Sequence, residues 1–176
     1  MNYRRVFVQN SYVHIIIVAY KRKNIFINNI ELLRLAFKNA KRFFNFEIAA
    51  ICILPDHIHV ILNPEKIKEY PKIISSIKYY FSKNCNVVGE VPTYGYQNKG
   101  EKGIFQHRFF EHTILSENEL NNQIDYVHYN PLKHGLVKYV KDWKFSSFHN
   151  FVKKKLYEKD WGSRKDIKNF MDLDFE

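Results

Sequence analysis

Two short β-rich runs, Phe46 to Leu54 and His57 to Leu62, are separated only by Pro55-Asp56. No other feature of the sequence restricts the fold as much. Proline presets the backbone angle of a turn and aspartate bonds its own nearby backbone, so this dipeptide reverses the chain between antiparallel strands. The segment therefore reads as a hairpin. Side chains alternate between the two faces of a strand, so Ile58 and Val60 enter a core while His57 and His59 share the opposite side.

The flanking segments supply a sheet and its cover. Tyr12 to Tyr20 is dense in Val and Ile and reads as a buried strand, followed by a surface turn at Lys21-Arg22-Lys23-Asn24. Ile30, Leu33, Phe37, Ala40 and Phe44 then recur at three- and four-residue spacing. They predict a helix capped by Asn28 or Asn29, with Arg34, Lys38, Lys41 and Arg42 outward. After the hairpin, Pro71 suits a first helical turn, and Ile73, Ile74, Ile77 and Phe81 line the inward face of a helix reaching about Asn84. Asn86 to Gly103 holds four glycines and one proline. It reads as a long loop, of a kind uncommon inside a domain unless mobile or functional. Ile104 to Leu115 returns to strand character, and Ser116 with Glu119 forms a capping box that opens a third helix through Leu120, Ile124 and Val127. Pro131 is expected to close it. Gly135 and the Trp143 to Phe151 segment suggest a turn and one more short helix, followed by a polar basic tail.

The order strand, helix, strand, strand, helix, strand, helix matches the split βαβ arrangement. The expectation is an α+β, ferredoxin-like fold: a single antiparallel sheet with helices packed on one side. The 176 residues are 45% hydrophobic and 16% aromatic, enough for one core, so one domain is expected over 1–176. A basic N-terminal arm (1–10) and a C-terminal tail (from about 152) would flank it.

Composition narrows the partner. Twenty-eight Lys and Arg against 18 Asp and Glu give a formal charge of +10, which favours an anionic partner, nucleic acid first, over a neutral one. Cys52 and Cys85 have neither C-x-x-C nor zinc-finger spacing, so no disulfide framework or structural zinc is indicated and reduced thiols in the cytoplasm fit best. The apolar run Ile15 to Ala19 is too short for a signal core or a membrane span.

Two constellations can carry chemistry. The His57 and His59 imidazoles, on one side of a strand, can share a metal ion, although two half-exposed histidines beside a sheet would have the same pattern. On the third helix, Tyr126 and Asn130 are four residues apart and stack on one face. With Asn122 they form a polar row distinct from the core stripe of Ile124 and Val127. A tyrosine is most often a packing residue, and there are twelve here. The combination says more than either part, because phosphodiester transfer needs a Lewis acid on the phosphate and a nucleophile held in line. His57, His59 and Asn130 could hold Mg²⁺ or Mn²⁺ with open positions, Mn²⁺ being the better match for imidazole. Tyr126 could then attack the phosphate, a nearby cation favouring its phenolate.

These segments resemble the REP-associated tyrosine transposases, within the wider single-tyrosine transposases that carry a His-hydrophobic-His (HUH) motif. The resemblance runs through Asn2-Tyr3-Arg4-Arg5, Leu54-Pro55-Asp56-His57-Ile58-His59 and Arg108-Phe109-Phe110-Glu111-His112. It continues through Tyr126 to Val137, Asp142-Trp143, Phe145 to His149 and Asp160-Trp161-Gly162. It implies that Tyr126 forms a covalent 5′-phosphotyrosine and releases a 3′-hydroxyl, with His57, His59 and Asn130 as metal ligands and no need for ATP. It also implies a single-stranded DNA substrate, a repetitive palindrome folded as a hairpin with a tetranucleotide at its foot. Tyr3, Arg4 and Arg5 would help read that tetranucleotide. The host would be bacterial, the protein cytoplasmic and active at the nucleoid. Lys153, Lys154 and Lys155 could contact phosphates, or simply form a solvated face. Both a monomer and a homodimer fit, the monomer being the simpler reading.

Two rival classes share these residues. A phosphodiesterase would use the imidazoles to activate water, with Tyr126 only positioning the substrate. A non-catalytic nucleic-acid-binding relative would keep the basic surface and lose the chemistry.

Overall fold

The computed structural model describes residues 5–87 and 103–162. In chain order the elements are β1 (Tyr12–Val18), α1 (Ile30–Ala40), β2 (Phe46–Ile53), β3 (His57–Pro64), α2 (Tyr70–Asn84), β4 (Phe110–Ile114), α3 (Glu117–Lys133) and α4 (Phe148–Lys153). The strands form one sheet in the order β2-β3-β1-β4, and every neighbouring pair is antiparallel. This is the split βαβ arrangement, with the hairpin as β2 and β3.

Strand parity sorts the side chains. Val13, Ile15 and Ile17 of β1 join Ile58, Val60 and Leu62 of β3 in one apolar layer. α1 covers that layer with Leu33, Ala36, Phe37 and Ala40, and α2 with Ile73, Ile74, Ile77 and Phe81. The register of β2 shifts between Ile48 and Ala50. A bulge of this kind resets the alternation, so Ile48 and Ile51 pack toward α1 and α2 while Ala50 and Cys52 join the other layer.

That other layer qualifies the expectation of helices on one side. α1 and α2 share one face as expected, but α3 packs on the opposite one, where Ile124 and Val127 meet Ala50, Cys52, Leu54, Ile61 and Ile114. The cause is the sheet itself, which carries apolar residues on both faces and so needs cover on both. α4 follows on that side, with Phe151 packed against the same layer.

Helix ends follow local chemistry. At the start of α3, Glu119 N–H donates to Ser116 Oγ (3.2 Å), the N-cap half of the expected capping box, while Glu119 Oε2 accepts from Leu115 N–H (2.8 Å), one residue before the cap. Pro131 does not close the helix, which continues to Lys133. The stop is Gly135, in the left-handed region at φ 66°. Its N–H donates to Leu132 O (3.0 Å) and Leu136 N–H donates to Pro131 O (2.9 Å), the paired bonds of a Schellman end. Asn29 occupies the N-cap position of α1, but its side chain bonds back to Ile25 O (2.9 Å) rather than to the helix.

The strand expected over Ile104 to Leu115 is shorter, with Phe105 contributing an isolated bridge to Ala19. Most of the expected loop from Asn86 lies outside the described residues, as do residues 1–4 of the arm and 163–176 of the tail. The start of the tail is folded: Tyr157 stacks on Phe148, Phe151 and Trp161. Cys52 and Cys85 are both buried thiols. Among the described residues, no helix is long and apolar enough to cross a membrane.

Candidate functional site

β3 lies inside the sheet and α3 crosses the face that carries its histidines. His57 and His59 are 2% and 0% exposed, and Tyr126 and Asn130 are 2% and 0%. The imidazoles of His57 and His59 lie 5.1 Å apart between ring centres, and His59 lies 5.7 Å from the Tyr126 ring. Asn130, one turn beyond Tyr126, donates from Nδ2 to the Tyr126 carbonyl (2.9 Å). Its Oδ1 is buried with no hydrogen-bond partner among the described residues. Lys133 Nζ donates to the Tyr126 hydroxyl (3.0 Å) and stands 5.0 Å from the ring centre. An ammonium there stabilises negative charge on the phenolic oxygen.

The cluster has members that the sequence reading leaves out. His14 of β1, fully buried, places Nε2 3.2 Å from His59 Nδ1 and Nδ1 2.6 Å from Gln123 Oε1. Burial, then the neighbouring His59, pushes the His14 pKa down to about 3, so its ring is neutral at physiological pH. Gln123 is 2% exposed, whereas Asn122 is half-buried, so the polar row of α3 consists of Gln123, Tyr126 and Asn130 and not of Asn122. Asp56 Oδ1 lies 2.7 Å from His57 Nδ1, and Arg22 donates to Oδ2 (3.2 Å). Burial raises the Asp56 pKa, but the bond and charge of His57 and then Arg22 outweigh it and hold the carboxyl below its usual range. His134, just past α3, lies 4.8 Å from the His57 ring. The sequence signal for His14 is parity: it alternates with Val13 and Ile15, so its ring must leave the apolar layer. Gln123 has a similar signal, three residues before Tyr126 on the same helical face.

The other expected residues are not drawn into this cluster. Arg5 Nε donates to Glu111 Oε2 (3.2 Å) and is ion-paired with Oε1 at 3.0 Å, and its guanidinium covers Phe109 at 5.5 Å. Tyr3 and Arg4 lie outside the described residues. Lys153, Lys154 and Lys155 are exposed at the end of α4. That helix rests on His128 through Phe148 and Phe151, and His128 points away from Tyr126 around α3.

Among the described residues, no three His, Cys, Asp or Glu side chains are grouped to hold a metal. An ion at this place would be held by two imidazoles and the Asn130 amide oxygen. That donor set suits a transition ion such as Mn²⁺, with positions left for substrate.

A split βαβ sheet with paired histidines on an inner strand, facing a tyrosine on a covering helix, points to the class of transposases. Residues 7–130 match the family model described as Transposase IS200 like, and the chain belongs to that family, among its REP-associated tyrosine transposases. It is 40% identical over 169 residues to a protein of Haemophilus influenzae named as a REP-associated tyrosine transposase, spanning 95% of this chain and 96% of that one. A REP-associated tyrosine transposase of Escherichia coli is 33% identical over 170 residues, spanning 96% and 93%. Among solved structures, a REP-associated tyrosine transposase bound to a REP hairpin superimposes with a TM-score of 0.82 at 31% identity, over 97% of this chain and 95% of that one.

Proposed function

We propose that the chain is a metal-dependent endonuclease and strand transferase that cuts single-stranded DNA beside hairpin-forming palindromic repeats, through a covalent 5′-phosphotyrosine on Tyr126. One observation carries the reading: a tyrosine hydroxyl, two buried imidazoles and the buried Asn130 Oδ1 gather on one side of the sheet. A buried amide oxygen without a hydrogen bond is costly in a folded protein and is explained if it faces a cation. His57, His59 and Asn130 would hold Mg²⁺ or Mn²⁺. The ion, when bound, supplies Lewis-acid polarisation of the scissile phosphate.

The remaining work falls to the chain. The Tyr126 hydroxyl loses its proton to solvent, its oxygen forms a bond to phosphorus, and the bond to the 3′-oxygen breaks. The departing oxygen takes up a proton and is released as a 3′-hydroxyl. Lys133 holds the phenolic oxygen and stabilises charge on it before attack. Because the phosphotyrosine retains the energy of the broken phosphodiester, the reverse attack by a 3′-hydroxyl rejoins DNA without ATP. The net charge of +10 favours the polyanion along the rest of the path.

Tyr3, Arg4 and Arg5 are assigned to the tetranucleotide beside the hairpin, Arg5 exchanging its bond to Glu111 for contact with DNA. Lys153, Lys154 and Lys155 would meet only phosphates that extend beyond α3. The reading takes 1–176 as one domain with a basic arm and a C-terminal tail. It places a monomer in the bacterial cytoplasm, at the nucleoid.

The test uses an end-labelled single-stranded hairpin oligonucleotide with Mn²⁺. A protein–DNA species resistant to denaturant is expected, absent with chelator. Tyr126→Phe should lower cleavage by on the order of 10⁴-fold or more while the protein stays folded. Cleavage without an adduct would instead make the enzyme a hydrolytic phosphodiesterase. Binding without cleavage would make it a non-catalytic relative.

A further inference from the structure

His57 and His59 are backed by different partners. Behind His57 stands the carboxylate of Asp56, at the partly exposed rim of the site. Behind His59 stands a neutral chain, His14 and then Gln123, whose members are 0% and 2% exposed. We propose that Gln123 and His14 are positioning residues that set the ring tautomer of His59, and so decide whether its Nε2 presents a lone pair or a hydrogen to the site. The proposal rests on the reading of His59 as a metal ligand.

Hydrogen-bond direction sets the tautomers. Gln123 Oε1 can only accept, so at 2.6 Å it requires His14 Nδ1 to carry a hydrogen. A neutral imidazole has one N–H, so His14 Nε2 is then an acceptor. His59 Nδ1, 3.2 Å away, must donate to it. With its hydrogen on Nδ1, His59 has a lone pair on Nε2, the only state of that nitrogen that can bind a metal. The reverse direction is chemically complete as well. An inverted Gln123 amide would donate to His14 Nδ1, His14 Nε2 would donate to His59, and His59 Nε2 would carry a hydrogen that blocks coordination. The Oε1 of Gln123, and not its Nε2, faces His14 Nδ1, which selects the first direction.

The chain also ties elements together. His14 lies on β1, His59 on β3, and Gln123 on α3 one turn before Tyr126. A shift of α3 that breaks the Gln123 bond would therefore alter the ligand state of His59 as well as the place of the tyrosine.

Nitrogen-15 side-chain NMR on the metal-free protein near neutral pH reads the direction without metal or activity. Hydrogen on Nδ1 is expected for both His14 and His59. Binding of Mn²⁺ alone, followed by electron paramagnetic resonance, should weaken by about 10–100-fold in His14→Leu and Gln123→Leu, the usual effect of losing a residue that orients a ligand. His14→Gln, which restores an acceptor toward His59, should recover much of the loss, and circular dichroism should show each variant folded. Hydrogen on His59 Nε2 in the unsubstituted chain, or unchanged Mn²⁺ affinity in folded His14→Leu, would overturn the proposal. Should the unsubstituted chain show the Nδ1–H form yet bind no Mn²⁺, the metal reading fails while the hydrogen-bond direction stands.

Discussion

On the α1 and α2 side of β3, Ile58, Val60 and Leu62 meet hydrocarbon, whereas on the α3 side His57 and His59 share burial with His14, Gln123, Tyr126 and Asn130. One strand of eight residues therefore serves two layers of opposite chemistry. The apolar layer gains stability from nearly every side chain it hides, at about 25 cal/mol per Å² of apolar surface. The polar layer gains little. Each of its buried groups must recover through a hydrogen bond what it loses by leaving water, a penalty of about 1–3 kcal/mol when it fails. Such a layer persists because the other side of the sheet, and the hydrocarbon around Ile124 and Val127, carry the fold. Stability and chemistry are thus divided between the faces of one sheet.

The division can be broken from the apolar side first. Ile77→Ala, at a fully buried position of α2, should cost about 2–5 kcal/mol in urea denaturation and leave Mn²⁺ affinity of the folded fraction unchanged. A parallel loss of affinity would show that the two faces are not independent.

The polar side should respond to acid. His14 and His128, both buried, have pKa values pushed down to about 3 by burial first, then by His59 and by His149 respectively. In the unfolded chain both take up a proton below the ordinary histidine value, while the folded chain resists it. Stability should therefore fall as pH drops from about 6.5 toward 3, by about 2 kcal/mol per histidine at about pH 5. Urea midpoints near pH 7.5 and pH 5 check the size of the loss. His128→Phe should remove about half of the dependence. A flat profile would mean that neither ring is sealed from water.

How much of this was legible beforehand differs between the layers. The apolar one follows from period alone: Leu33, Phe37 and Ala40 on α1, and Ile73, Ile77 and Phe81 on α2, announce their facing by spacing. The HUH pair and the Tyr126–Asn130 step likewise show in sequence which groups share a face. His14 and Gln123 were harder, since a histidine in a Val/Ile run and a glutamine among asparagines acquire meaning only when β1, β3 and α3 meet. Pro131 misleads because near the end of a helix it removes one bond without ending the helix, whereas Gly135 can adopt the positive φ that does. The second helical layer was hidden by the β2 bulge, which changes parity within a strand that reads as regular.

The proposed function requires one cation in the polar layer beside Tyr126. Anomalous diffraction from crystals grown with Mn²⁺ tests it most directly. The account predicts a single strong peak within coordination distance of His57 Nε2, His59 Nε2 and Asn130 Oδ1. A peak elsewhere, or none at this site while Mn²⁺-dependent cleavage persists, would contradict it.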